Sequence, residues 1–274
     1  MDDPVLLLSL TAMLLATSAV AGLLAGLLGV GGGIILVPAL FYAFHTLGFG
    51  GPQLMQVCLA TSLATIVVTS LRSVLQHNKK GAVDWDILRT WAPGIAVGAL
   101  IGVAVAANLR SDVLQAIFGI LGVVVGLYIG FGRSDWRLAD TMPTGLRRTV
   151  MSPLMGFMSV LMGIGGGSFG VPIMALHGVT IHRAVATAAG FGMLIAVPSV
   201  LGFLLLDIAE ESRPPYTIGA VNLVAFGIVI VMTLITTPIG ARLAHGMNPK
   251  PLKRVFAVFL TLLALNMLRK ALGW

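Results

Sequence analysis

The chain has 274 residues and a net charge of +7, yet only 10% of its residues are charged and 57% are hydrophobic. Soluble domains average about 25% charged residues, so a soluble globule is excluded, and a mean hydropathy of +1.00 agrees. The positive charge forms no basic patch with interleaved aromatics, which sets nucleic acid aside as a partner, and the single cysteine, Cys58, leaves no disulfide framework or thiolate metal site.

In chain order, the first apolar run is Val5–Leu28. It opens like the core of a signal peptide, but Met1-Asp2-Asp3 is acidic where a signal peptide is basic and the run is too long, so a mature helix is expected. A glycine-rich break follows, Gly29-Val30-Gly31-Gly32-Gly33, then a short run, Ile34–Leu47, that contains Pro38. Three long runs come next: Leu54–Leu71, Ile87–Leu109 and Val113–Gly130. Cys58 reads as a small packing residue. A polar connector, Arg133–Gly145, leads to a second passage through the same order. Its break is Gly163-Ile164-Gly165-Gly166-Gly167, its short run Phe169–Val179 contains Pro172, and Arg183–Leu206, Ile218–Arg242 and Leu252–Leu268 complete it. Crossing a hydrocarbon core takes about 20 apolar residues at about 1.5 Å each, so the long runs predict membrane-spanning helices. The two short runs would make only about 21 and 16 Å of helix and predict half-helices.

The two passages align residue by residue. All four motif glycines and the proline match at an offset of 134, as do Gly22 and Gly156. Ala60-Thr61-Ser62 aligns with Ala186-Thr187-Ala188, and Gly102 and Phe118 with Gly240 and Phe256. Five elements per half is an odd number, so the second half is expected upside down relative to the first. Of the 17 Lys and Arg, 13 fall on one predicted side, including Arg72, Lys79, Lys80, Arg147, Arg148 and Arg183. That bias makes this side cytoplasmic; Arg269-Lys270 is the misfit. The expected fold is an all-α integral membrane bundle of two inverted repeats, 1–135 and 136–274, with Gly-broken half-helices.

Paired, glycine-interrupted segments at corresponding places are the best sequence pointer to a transporter's binding site. Lipid cannot satisfy free backbone groups, so a break survives only against protein or a wet cavity. The helix that starts after each break aims free N–H groups and its positive dipole end back at it, which suits an anion. The candidate substrate-binding residues are therefore Gly31, Gly32, Gly33, Gly165, Gly166 and Gly167, with Ser168 as an N-cap whose hydroxyl also serves a ligand. Thr61, Ser62 and Thr187 add hydroxyls, against the alternative that they bond back to their own helices. Arg183 is a candidate for attracting or gating an anion, weighed against a snorkelling anchor. His45 and His177 each close a short helix. The packing alternative for the glycine triplets is applied instead to Gly94, Gly98, Gly102 and to Gly119, Gly122, Gly126. No Asp or Glu lies in the middle of an apolar run, so a carboxylate relay is absent, and a coupled proton is expected to travel on a weakly acidic substrate.

The duplicated Gly-x-Gly-Gly-Gly motifs with Pro38 and Pro172, and His182-Arg183-Ala184-Val185-Ala186-Thr187 opening the next helix, resemble the sulfite exporter TauE/SafE family, also called the toluene-sulfonate uptake permease family. The resemblance covers essentially the whole chain. It implies a secondary transporter of a prokaryotic inner membrane that moves a sulfur-containing oxyanion, sulfite or an organosulfonate such as sulfoacetate, with export the expected direction. The family's second half often carries Ser after Ala-Thr, whereas Ala188 stands here. The expected partners are a small anion and the bilayer, with a second copy of the chain as a further candidate; no cofactor or metal is expected. Two other classes stay open: an intramembrane serine protease using Ser168 with a histidine such as His245 as base, and an anion channel.

Overall fold

A computed structural model describes residues 4–28, 33–132, 136–246 and 249–273. The described residues form ten α-helices: α1 Pro4–Leu28, α2 Gly33–Thr46, α3 Leu54–Lys79, α4 Trp85–Asn108, α5 Ser111–Phe131, α6 Gly145–Leu161, α7 Gly167–Leu176, α8 Ile181–Leu204, α9 Leu223–Gly246 and α10 Pro249–Ala271. A single 3₁₀ turn and a two-residue β-hairpin, Thr217–Ile218 against Val221–Asn222, precede α9. Among the described residues, α3, α4, α5, α8 and the Leu223–Gly240 part of α9 are long and apolar enough to cross a membrane. With 14 and 10 residues, α2 and α7 are not.

The core is inverted relative to a water-soluble bundle only in its outer surface. On α3, every residue from Leu54 to Ile66 is buried, which puts that helix at the centre. Outward faces are apolar too: Val97, Leu100 and Ile101 on α4, Ile120, Val124 and Leu127 on α5, Val231 and Ile235 on α9 are all exposed. Exposed aliphatic side chains of this density are stable against acyl chains and not against water.

Packing pairs cross between the first five helices and the last five. Helix α1 lies on α9, α6 on α4, α3 on α8 and α5 on α10. Small residues permit the close approaches. A methyl group on Gly22 would strike Thr236 and crowd Thr233, and one on Gly240 would strike the Leu23 carbonyl. In the α4–α6 contact, a methyl on Gly156 would strike the Ile95 carbonyl, one on Gly98 the Pro153 carbonyl, and one on Gly102 would stand 3.1 Å from the Phe157 carbonyl oxygen. Gly119, Gly122 and Gly126 seat α5 on Ala264, Leu268 and Thr261 of α10, as the packing reading of these glycines expects. Arg269-Lys270, the misfit of the charge pattern, has a local partner: the Lys270 ammonium sits 4.7 Å from the Tyr42 ring centroid, a cation–π contact.

The second short helix turns back. Leu138 N–H donates to the Leu176 carbonyl at 2.7 Å, and His177, which ends α7, lines one cavity with Thr144, Leu146 and Arg147 at the start of α6. Helices α6 and α7 therefore form a hairpin whose two outer ends lie together and whose tip is the glycine break.

Candidate functional site

Gly31 and Gly32 lie outside the described residues; Gly33 opens α2. The start of α2 meets the second break there. A methyl on Gly33 would stand 2.8 Å from the Gly163 carbonyl oxygen and 3.1 Å from both Ile164 Cα and Ile66 Cδ1. Ile66 also faces the second break, with its Cγ2 3.3 Å from where a Gly165 side chain would begin. From the other side, Val37 of α2 and Leu59 of α3 close on Gly163. Ser62 completes the junction: its buried hydroxyl donates to the Gly163 carbonyl at 2.7 Å. The carbonyl freed by the break is thus satisfied by a neighbouring helix, as lipid-excluded backbone requires. Thr65, by contrast, bonds back to Ser62 of its own helix at 2.7 Å.

The glycines of the second break have divided roles. Only Gly163 takes a positive φ, of 60°. Gly166 is needed for space: a side chain there would collide with Phe191 Cβ and lie 2.6 Å from the Ala188 carbonyl of α8. Gly165 and Gly167 are half-buried and leave backbone accessible beside the first turn of α7. Ser168 is not the N-cap; Gly166 holds that position, two residues earlier than the hydroxyl pattern suggests. Ser168 falls instead inside the first turn, 4% exposed, and its hydroxyl has no hydrogen-bond partner. Ser159, in the last turn of α6 on the other flank of the break, is fully buried and equally unpartnered. Buried hydroxyls nearly always find a partner; these two orphans flank one break, and the other two unpartnered buried polar atoms among the described residues, Ser18 Oγ and Gln56 Oε1, lie on α1 and α3. Ser159 was not legible as a site residue; its one signal is its place one helical turn before Gly163.

Thr61 and Thr187 hold helix starts. The Asn222 N–H donates to Thr61 Oγ1 at 3.0 Å, and the Asp84 N–H donates to Thr187 Oγ1 at 2.9 Å. Asn222 and Asp84 are themselves caps, accepting from Ala225 N–H and Ile87 N–H at 2.9 and 3.1 Å. Each threonine therefore ties its helix to the capped start of a helix from the other set of five. Arg183 lies at the same end as Asp84 and donates to its carboxylate at 2.9 Å, apart from the junction. Removing the Asp84 side chain, in Asp84→Ala, should cost about 1 kcal/mol through the lost cap. The ion pair adds little because the Arg183 side chain is 55% exposed. Thermal unfolding of the purified variant in detergent checks that loss.

An all-helical bundle with five apolar spans among the described residues, in which the α6–α7 hairpin meets the start of the short helix α2, is the architecture of a polytopic membrane protein. The chain belongs to the sulfite exporter TauE/SafE family, whose sequence profile, described as Sulfite exporter TauE/SafE, matches residues 14–267. It is 31% identical over 256 residues to a probable membrane transporter protein of Haemophilus influenzae, covering 93% of this chain and 97% of that one. A probable membrane transporter protein of Methanocaldococcus jannaschii is 26% identical over 266 residues, covering 95% and 96%. One of Bacillus subtilis, named YunE, is 24% identical over 275 residues, covering 93% and 96%. No solved structure matches the chain.

Proposed function

We propose that this family member is a secondary transporter that carries a sulfur-containing oxyanion, sulfite or an organosulfonate, outward across the inner membrane by alternating access. The substrate sits where the breaks meet, held by the free N–H groups at the starts of α2 and α7 and by the hydroxyls of Ser168 and Ser159. The observation that carries the reading is the pair of buried, unpartnered hydroxyls beside a helix N-terminus, an environment that rewards an anion with several acceptor oxygens. The family's descriptive name supports the sulfur chemistry.

We further infer that residues 1–135 and 136–274 are repeats related by inversion. Support comes from equivalent contacts: Gly22 on Thr233 and Gly156 on Ile95, Gly240 on Leu23 and Gly102 on Phe157, Thr61 on Asn222 and Thr187 on Asp84. Each pair exchanges halves at the offsets of the sequence repeat, the arrangement that lets two halves rock about one site.

Uptake of labelled sulfite, thiosulfate or sulfoacetate into proteoliposomes tests the assignment. Saturable, gradient-driven flux is expected, which a channel would not give. Ser168→Ala should weaken it about tenfold, the worth of roughly one hydrogen bond to a charged ligand. Unchanged flux in that variant would remove Ser168 from the site, and a proteolytic activity that it abolishes would replace the transport reading with a hydrolytic one.

A further inference from the structure

We propose a second anion site, separate from the junction of the breaks, in the cavity beneath the connector between α5 and α6. The cavity holds about 380 Å³ and is lined by Thr141, Met142, Thr144, Leu146, Arg147 and His177, among others. That volume lies in the range of small-molecule pockets, about 300–1,000 Å³, and accommodates a phosphate-class oxyanion together with an organic substituent.

Donors converge on it from three directions. Helix α6 begins there, and Thr144, at the N-cap position, makes no side-chain cap bond, so the first-turn N–H groups remain available. Arg147 is exposed on that same turn and is in no ion pair among the described residues. His177 reaches the cavity from the end of α7 and is itself about nine-tenths buried, at 9% exposure. Its Nδ1 lies 2.7 Å from the Ile173 carbonyl. A carbonyl only accepts, so Nδ1 carries the hydrogen and Nε2 is left without a partner among the described residues. A neutral ring would accept the O–H of hydrogen phosphate or a phosphate monoester at Nε2, and a protonated ring would donate to any of its oxygens. The Thr141 and Thr144 hydroxyls stand beside these groups with no hydrogen bond among the described residues. One carboxylate neighbours the lining, that of Asp140, and it points to Arg137 at 3.6 Å with its side chain 90% exposed.

The shared chemistry is a phosphate-class oxyanion, and it has two sources: a soluble phosphate compound or the headgroup of an anionic lipid. Either occupant would bridge the connector, the start of α6 and the end of α7. Since α7 runs from Gly167 to Leu176 and His177 caps its end, an occupant braces the same short helix whose other end faces the break.

Calorimetric titration of inorganic phosphate into the purified full chain, in chloride buffer and detergent, tests this directly. Saturable binding is expected, weakened tenfold or more by Arg147→Gln, about the loss for a charge-assisted bond. Arg147→Lys should retain part of it, and Ser168→Ala should leave it unchanged, which separates this site from the transport site. Repeating the titration in nanodiscs distinguishes the sources: phosphatidylglycerol discs that abolish phosphate binding, beside phosphatidylcholine discs that preserve it, identify the headgroup as occupant. Phosphate binding that Arg147→Gln leaves unaltered, or a wild-type chain that binds no phosphate in detergent or in phosphatidylcholine discs, overturns the proposal.

Discussion

A Gly166→Val variant should fail to accumulate in the membrane and should carry no substrate. Its Cβ alone would collide with Phe191 Cβ and stand 2.6 Å from the Ala188 carbonyl; the further methyls have nowhere to go. Overpacking a well-filled interior typically costs about 1–3 kcal/mol, and here the obstacle includes the backbone of α8, which cannot rotate aside as a side chain can. The instructive partner is Gly165→Ala. Its methyl would lie 3.3 Å from Ile66 Cγ2 and 3.8 Å from Gly192 Cα, close but bearable, so the protein should fold. Monodisperse Gly165→Ala protein with reduced flux would assign that glycine to close approach of a ligand; full flux would leave it a packing residue. Size-exclusion profiles and proteoliposome uptake, measured on both variants, separate these outcomes.

The second large effect is expected at the two threonine ties. Thr61→Val and Thr187→Val preserve shape but leave the N–H of Asn222 and of Asp84 without an acceptor. An orphaned buried donor costs about 1–3 kcal/mol. Thr61→Val should be the worse, because Asn222 is 3% exposed whereas Asp84 lies at a wetter end of the bundle, its side chain 20% exposed. The double variant should lose roughly the sum, since the two ties join different helix pairs. Denaturation in detergent measures both; a loss within a few tenths of a kilocalorie for Thr61→Val would mean that water or another group takes over the donor.

The helices were legible in the sequence because length and apolarity decide them in lipid: the runs Ile87–Leu109 and Val113–Gly130 match α4 and α5 to within two residues at each end, and Leu54–Leu71 opens α3, which runs on through polar residues to Lys79. The half-helices were legible from the breaks, since three glycines and a short run cannot make a span. What the sequence does not carry is which side chain answers which freed backbone group. Ser62, one of several hydroxyls on α3, is distinguished only by the Gly163 carbonyl that another helix brings to it. Ser168 suits an N-cap by residue type, yet the cap falls at Gly166, where α8 leaves no room for a side chain. Asp84 and Asn222 read as ordinary polar residues at loop ends until their shared relation to Thr187 and Thr61 appears in space.

The exchange of packing partners bears on how the protein is made. Gly22 of α1 rests on Thr233 and Thr236 of α9, so α1 docks against a helix made only after the seven between them. Until then it must persist in the bilayer with only α2 of its final neighbours beside it, an apolar rod stable in lipid by itself. Seating of α1 therefore awaits the synthesis of α9, and contacts this distant along the chain are slow to close. A ribosome stalled before α9 should yield an inserted but loosely joined intermediate, sensitive to membrane quality control, whereas supplying the missing segment from a second transcript should let the waiting helix find its seat.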